Sequence, residues 1–155
     1  MVDVKIKLMP GGMMPQKMSA GAAGMDCYAR EGGVVHRAAS RVECGPMGVG
    51  LLYRAKVPLG FAMSLPDGYE AHVRPRSGLG FRNGVHCAFG TIDADYTGEV
   101  SALLFNLGTV DFKWQAGDRI CQLVIAPVAR VTLHQVDELE ATERGGKGFG
   151  SSGVR

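Results

Sequence analysis

Residues 2–8 read VDVKIKL, and their parity decides the fold class. Val2, Val4, Ile6 and Leu8 fall on one side of an extended chain and Asp3, Lys5 and Lys7 on the other, the period-two pattern of a half-buried strand. Strand-like runs then recur: MDCYAR (25–30), GLLYRAKV (50–57), GFAMSL (60–65), YEAHVRP (69–75), EVSALLFNL (99–107), RICQLVIAPV (119–128) and RVTLHQV (130–136). Turn signals separate them, at PGG (10–12), PDG (66–68), NLG (106–108) and AGD (116–118). Many short strands at close spacing predict an all-β sandwich, jelly roll or barrel. Helical periodicity is nearly absent, with a turn or two expected near SGLGFRNG (77–84) and another at VDELEA (136–141).

The chain of 155 residues is long enough for one domain with its own core. A net charge of +2 creates no field that would recruit nucleic acid or an anionic membrane, so an anionic ligand must be held locally. Cys27, Cys44, Cys87 and Cys121 are widely spaced, and His36, His72, His86 and His134 show no metal-ligand spacing. Free thiols point to a reducing compartment, the cytoplasm, and the alternating N-terminus is neither a signal peptide nor a membrane span. Residues 38–50, AASRVECGPMGVG, have poor periodicity and read as a surface excursion.

Four stretches concentrate polar chemistry. In GTIDADYTGEV (90–100), Asp93 and Asp95 project to one face of an extended chain; beside Gly90 and Gly98 they mark either a solvated turn or an exposed general base or metal-side carboxylate. In VRPRSGLG (73–80), a guanidinium, a hydroxyl and N–H groups near glycine make a phosphate-binding corner, although alternating arginines also decorate solvated strands. Arg119 and Gln122 lie three apart in AGDRICQLVIAPV (116–128), so regular extension sends them to opposite faces. They serve one ligand only if the strand begins irregularly or subunits meet there. Asp26, in AGAAGMDCYA (20–29), stands where a small-residue loop becomes a strand, a position equally suited to a turn or cap.

The C-terminal GGKGFGSSGVR (145–155) contains a formal G-x-G-x-x-G, but only Val154 and Arg155 follow it, so no helix can hold a pyrophosphate. Its composition is that of a flexible tail, apart from the aromatic Phe149.

Taken in order, AGMDCYA (23–29), RPRSGLG (74–80), GTIDADYTGEV, GDRICQLVIAPV (117–128) and RGGKGFGSSG (144–153) resemble the five motifs of the homotrimeric dUTP pyrophosphatases, over nearly the whole chain. That resemblance implies a jelly-roll-like β-barrel with at most one short helix. It also implies a homotrimer with sites assembled from all three subunits, and Mg2+-assisted hydrolysis of dUTP to dUMP and pyrophosphate. Such a reaction limits uracil incorporation into DNA and supplies dUMP for dTMP synthesis. Residues 1–142 would form the core and residues 143–155 a flexible glycine-rich lid. By the same resemblance, Asp93 is the base acting on the water that attacks the α-phosphorus. Tyr96 packs on the deoxyribose, leaving no room for a 2′-hydroxyl, and main-chain groups of a hairpin containing Gly90 and Ile92 read uracil. Arg76, Ser77 and Gly78 form the phosphate turn, with Arg119 and Gln122 near the triphosphate. Asp26 stands close to the metal's water shell, the metal being held mainly by substrate phosphates. Arg144 and Ser151 reach the γ end, Phe149 covers the base, and Gly150 between them is a further substrate-binding residue.

Departures are visible too. His86, Cys87, Ala88 and Phe89 stand where many relatives carry an Asn or a short polar turn, and Lys147 stands where Gly is frequent. Cys27 and Cys121 replace aliphatic residues as neutral core changes. Two competing readings share the fold: a dCTP deaminase-like enzyme, whose relatives generally lack the GFGSSG and IDADY segments, and a non-catalytic dUTP-binding regulatory protein.

Overall fold

A computed structural model describes residues 2–37 and 53–146. The excursion at 38–50, with Cys44, and the C-terminal Lys147, Phe149, Gly150 and Ser151 lie outside the described residues. Among the described residues ten strands and one helix follow in order: β1 (Lys5–Leu8), β2 (Met25–Tyr28), β3 (Gly33–Val35), β4 (Arg54–Ser64), β5 (Tyr69–Arg74), α1 (Ser77–Asn83), β6 (Val85–Cys87), β7 (Gly90–Ile92), β8 (Glu99–Asn106), β9 (Phe112–Trp114) and β10 (Arg119–Pro127).

The strands form two four-stranded sheets, β1-β4-β8-β6 and β2-β10-β5-β7, with β3 and β9 paired as a separate ribbon. From β4 to β8 the chain changes sheet at every step, and this alternation makes the barrel jelly-roll-like. All pairings between these strands are antiparallel. The sequence dictates which face goes inward. On β8, Val100, Ala102 and Leu104 are buried, while Glu99, Ser101, Leu103 and Phe105 alternate with them on the outer face. Facing them across the core, β5 and β10 bury Ala71, Val73, Ile120 and Leu123.

The described strand residues of the two runs expected at 50–57 and 60–65 belong to one strand, β4, interrupted by a register shift between Pro58 and Ala62. Gly60, at the shift, has φ +72, and its backbone packs so closely on Gly12 that a side-chain carbon at either position would collide with the other's backbone. The free N–H of Gly60 donates to Glu99 Oε1 at 3.0 Å, and that carboxylate also pairs with Arg30 at 3.2 Å.

Cys27 and Cys121 face each other in register across β2 and β10, and both are buried. Hydrogen bonds with Cys27 and then Cys87, followed by burial, push the Cys121 thiol well above its ordinary range. It therefore stays protonated and packs as a small apolar group. The buried polar residue Asn106 is fully satisfied: its amide donates to the carbonyls of Val35 (3.1 Å) and Val110 (2.8 Å) and accepts from Gly108 N–H (2.9 Å).

The helix expected near 77–84 exists as α1, ended by Gly84 in the left-handed region at φ 66. The segment at 136–141 is not helical, and 130–136 is not a strand. Both lie beyond β10, where residues 128–146 run exposed with no regular structure to pair with or bury against.

Candidate active site

The first cluster is built where β10 lies between β2 and β5. Gln122 is opposite Asp26 on one side and Arg74 on the other, so the three form one row on the outer face of this sheet. Arg119 joins them because the register shifts between Arg119 and Cys121. One additional residue in the strand reverses parity, Ile120 and Cys121 are both buried, and Arg119 turns outward beside Gln122. The irregular beginning that a shared ligand demands is therefore present.

Asp26 is the electrostatic centre. Its side chain is 14% exposed, and Oδ2 meets Arg76 Nη2 at 3.3 Å and Arg119 Nη1 at 3.2 Å. Arg76 Nη1 also donates to the Arg119 carbonyl at 2.9 Å, which holds the two guanidinium groups together. Two cations around one carboxylate leave a net positive corner, suited to a polyanion. Ser77 and Gly78 begin α1 directly after Arg76, where main-chain N–H groups lie outside the helical ladder. Gln122 Nε2 donates to the Pro75 carbonyl at 2.9 Å, fixing the approach to this turn. Gly24 matters for the same reason, since a side-chain carbon there would come within 2.2 Å of Gln122 Oε1.

A second cluster surrounds the end of β7. Gly90 and Ile92 pair with Val73 and Ala71, which leaves Asp93 exposed just past the strand. The chain then turns, closed by Tyr96 N–H donating to the Asp93 carbonyl at 3.1 Å. Tyr96 Oη donates to the Glu99 carbonyl at 3.0 Å, and its ring lies over Gly98, where any side-chain carbon would fall 2.6 Å from Oη. Gly90, Ile92, Asp93 and Tyr96 together line an open cavity of about 240 Å3, completed by Lys56 and Ser101 among others. The Asp93 carboxylate accepts no hydrogen bond from the described residues and stays free to act on a ligand or water.

A sequence model of the dUTPase family matches residues 12–153. The chain belongs to the dUTPase family. It is 45% identical over 143 residues to the deoxyuridine 5'-triphosphate nucleotidohydrolase of Sinorhizobium medicae, covering 91% of this chain and 83% of that protein. Against the protein of the same name from Zymomonas mobilis it is 42% identical over 158 residues, with 99% of each chain covered. Among solved structures it is similar to the dUTPase of Staphylococcus bacteriophage 80alpha with dUPNHPP, at a TM-score of 0.83 and 27% identity, covering 98% and 99% of the two chains.

The dUTPase chain carries its two clusters far apart. Pairing of Ala71 with Ile92 sets Asp93 beside Glu70, four residues along β5 from Arg74, the neighbour of the Asp26 row. With β2, β10, β5 and β7 side by side, three spacings of ~4.8 Å and four residues of ~3.4 Å place Asp26 and Asp93 roughly 20 Å apart along the sheet. The structure thus brings together Asp26, Arg76, Arg119 and Gln122, with Ser77 and Gly78 next to them. Separately it brings together Gly90, Ile92, Asp93 and Tyr96, and it does not join the groups. Arg144 lies on the exposed segment after β10. Gly24 and Lys56 were not singled out in the sequence, because each becomes part of a site only through its sheet neighbours.

Among the described residues no three His, Cys, Asp or Glu side chains are arranged to hold a metal ion. No helix among them is long and apolar enough to cross a membrane.

Proposed function

We propose that this dUTPase hydrolyses dUTP to dUMP and pyrophosphate as a homotrimer, each site combining the Asp26 cluster of one subunit with the Asp93 cluster of another. The observation that carries this reading is the complementarity of two distant halves: one is a cationic corner for a triphosphate, the other a cavity with a free carboxylate for a nucleoside and its attacking water. A gap of roughly 20 Å is too wide for one chain to serve both ends of a reaction at a single phosphorus, whereas a second copy closes it. Support for association comes from the segment after β10, whose Val131, Leu133, Val136 and Leu139 are all exposed. An open apolar groove of about 490 Å3, lined by Val2, Val4, Ile6, Met14, Met63 and Ile125, suits such an arm from a neighbouring subunit.

In this mechanism Asp93 takes a proton from the water as its oxygen attacks the α-phosphorus in line, and pyrophosphate leaves. Arg76 and Arg119, with the N–H groups of Ser77 and Gly78, neutralise and orient the phosphates, and Gln122 fixes the turn that presents them. Tyr96 holds the sugar and Gly90 and Ile92 the base. The residues fit Mg2+: one carboxylate, Asp26, touches its arginines through Oδ2 only, and a hard cation carried on phosphates needs little more than one such group through water. When bound, Mg2+ supplies charge neutralisation at the phosphate oxygens. Residues 143–155 are assigned as the lid, with Arg144 and Ser151 at the γ end, Phe149 over the base and Gly150 between them. The free thiols Cys27, Cys87 and Cys121 support a cytoplasmic location.

Mixing two inactive variants tests the sharing. Asp93→Asn and Asp26→Ala each abolish turnover alone, while hybrid trimers refolded from both regain wild-type sites, up to about one in three. Mixed trimers, confirmed by sedimentation, that hydrolyse no dUTP would show that each chain works alone, and a near-normal kcat in Asp93→Asn would remove the assigned base.

A further inference from the structure

The row that holds Asp26 and Gln122 has a third member, Arg74. It ends β5 directly opposite Gln122, and because Ala71 and Val73 point into the core its side chain leaves the outer face of the sheet. Arg76 follows two residues on in extended backbone, at φ −97 and ψ 126, and starts from the same face ~7 Å further along. The commitments of the arginines differ. Arg76 and Arg119 both bond Asp26 Oδ2, at 3.3 and 3.2 Å, and Arg76 also donates to the Arg119 carbonyl at 2.9 Å. Arg74 makes no hydrogen bond and no ion pair with the described residues, and its Nε is buried without an acceptor. The other acid on this strand, Glu70, is four residues away and lies 2.8 Å from His72 Nε2. A buried donor without a partner is uncommon because the lost hydration is not repaid, and here the donor belongs to a full charge. Such a group is satisfied by an anion that arrives from outside the chain.

We propose that Arg74 is a further substrate-binding residue, which takes the pyrophosphate portion of dUTP. This inference rests on the reading that the Asp26 corner receives the triphosphate. Arg76 is drawn toward Asp26 on β2, whereas Arg74 starts on β5 with β10 between them, so the two guanidinium groups do not converge on one point. A chain of phosphates bridges them, and a single phosphate does not. Turning Arg74 toward a phosphate breaks no existing bond, while Arg76 and Arg119 must share their donors with Asp26. Arg74 therefore offers the corner an undivided charge and a planar fork suited to phosphate oxygens. It holds the leaving pyrophosphate as its bond to the α-phosphorus breaks, and it binds the monophosphate product weakly.

The test compares Arg74→Met, which keeps much of the stem and removes the guanidinium, with Arg74→Lys and Arg76→Met. The Kd for inorganic pyrophosphate and for dUMP is measured by calorimetry in Mg2+, with the KM for dUTP, on protein whose assembly is checked by sedimentation. In Arg74→Met the pyrophosphate Kd and the dUTP KM rise by on the order of tenfold or more, while the Kd for dUMP stays near wild type. Arg74→Lys recovers part of the loss, since it restores the charge without the fork. Without ligand the thermal midpoint is unchanged or higher, because an unpaired donor has been removed, and the rise in midpoint caused by pyrophosphate shrinks. An unchanged pyrophosphate Kd overturns the assignment. So does an equal loss for dUMP, which would mean general attraction of anions. A lowered midpoint and weaker assembly with pyrophosphate affinity intact would show that Arg74 pairs with a neighbouring subunit instead. Loss of pyrophosphate binding in Arg76→Met alone sinks the role of Arg74 only, and loss in neither variant sinks the corner as the phosphate site.

Discussion

Replacing Gly24 by Ala tests how the Asp26 row is held. The new carbon would lie 2.2 Å from Gln122 Oε1, 3.1 Å from its Cδ and 3.4 Å from its Cβ, so rotation of the terminal amide alone cannot relieve the contact. The side chain of Gln122 must leave its rotamer and give up its 2.9 Å hydrogen bond to the Pro75 carbonyl. The lost bond costs about 1 kcal/mol and the displaced rotamer about 0.5–1.5 kcal/mol. Stiffening of the unfolded chain by Ala returns about 0.4–1 kcal/mol, since Gly24 is not among the positive-φ glycines. The net destabilisation of about 1 kcal/mol lowers Tm by about 2–4 °C, measured at fixed protein concentration because association shifts the midpoint. Gln122 no longer steadies the turn before Ser77, so KM for dUTP rises as well. In a Gln122→Ala background the obstacle is gone, and Gly24→Ala becomes neutral or slightly stabilising. Additive costs in the double variant would refute the proposed contact.

Two further perturbations probe the scaffold. Asn106→Ala leaves the Val35 and Val110 carbonyls and the Gly108 N–H without their partner, and a loss of about 3 kcal/mol is expected in urea denaturation; an unchanged midpoint contradicts that network. Asp111 accepts from Arg37 N–H at 2.8 Å and lies 2.9 Å from His36 Nδ1, and these contacts, the Arg37 bond first, hold its carboxyl below the usual carboxylate range. A depressed folded pKa stabilises the protein above the unfolded value of about 3.9, and this stabilisation disappears as pH falls through the folded value. Wild type is therefore more stable than Asp111→Asn near pH 7, and the gap narrows as pH falls below the unfolded value of about 3.9; a gap independent of pH through that fall rejects the linkage.

Period-two alternation suits β5, which buries Ala71 and Val73 between outward residues, whereas β10 was disclosed as an apolar run and buries Ile120 and Cys121 in succession. It could not disclose β3, β6, β7 and β9, which are three residues each and offer too little pattern. Residues 130–136 alternate as a strand does, yet in the chain they face solvent, since alternation says that a face will be covered without saying by what. The candidate site was legible through the order of its motifs, since Asp93, Asp26 and the arginines each read equally as turn or strand-surface residues when taken singly. Whether Arg119 and Gln122 share a face depended on a single register shift. The separation of Asp26 from Asp93 depended on strand order, which no local pattern encodes.

If sites are shared as proposed, that separation makes catalysis an expression of concentration. On the proposed sharing of sites, a solitary chain holds the Asp26 and Asp93 clusters on different parts of its surface, and neither cluster completes the reaction alone. For a three-chain assembly, the fraction of working sites falls steeply once the protein is diluted below its association range, far faster than the amount of protein itself. On that proposal a newly made subunit is chemically silent, and the arm after β10 acts on turnover by joining copies.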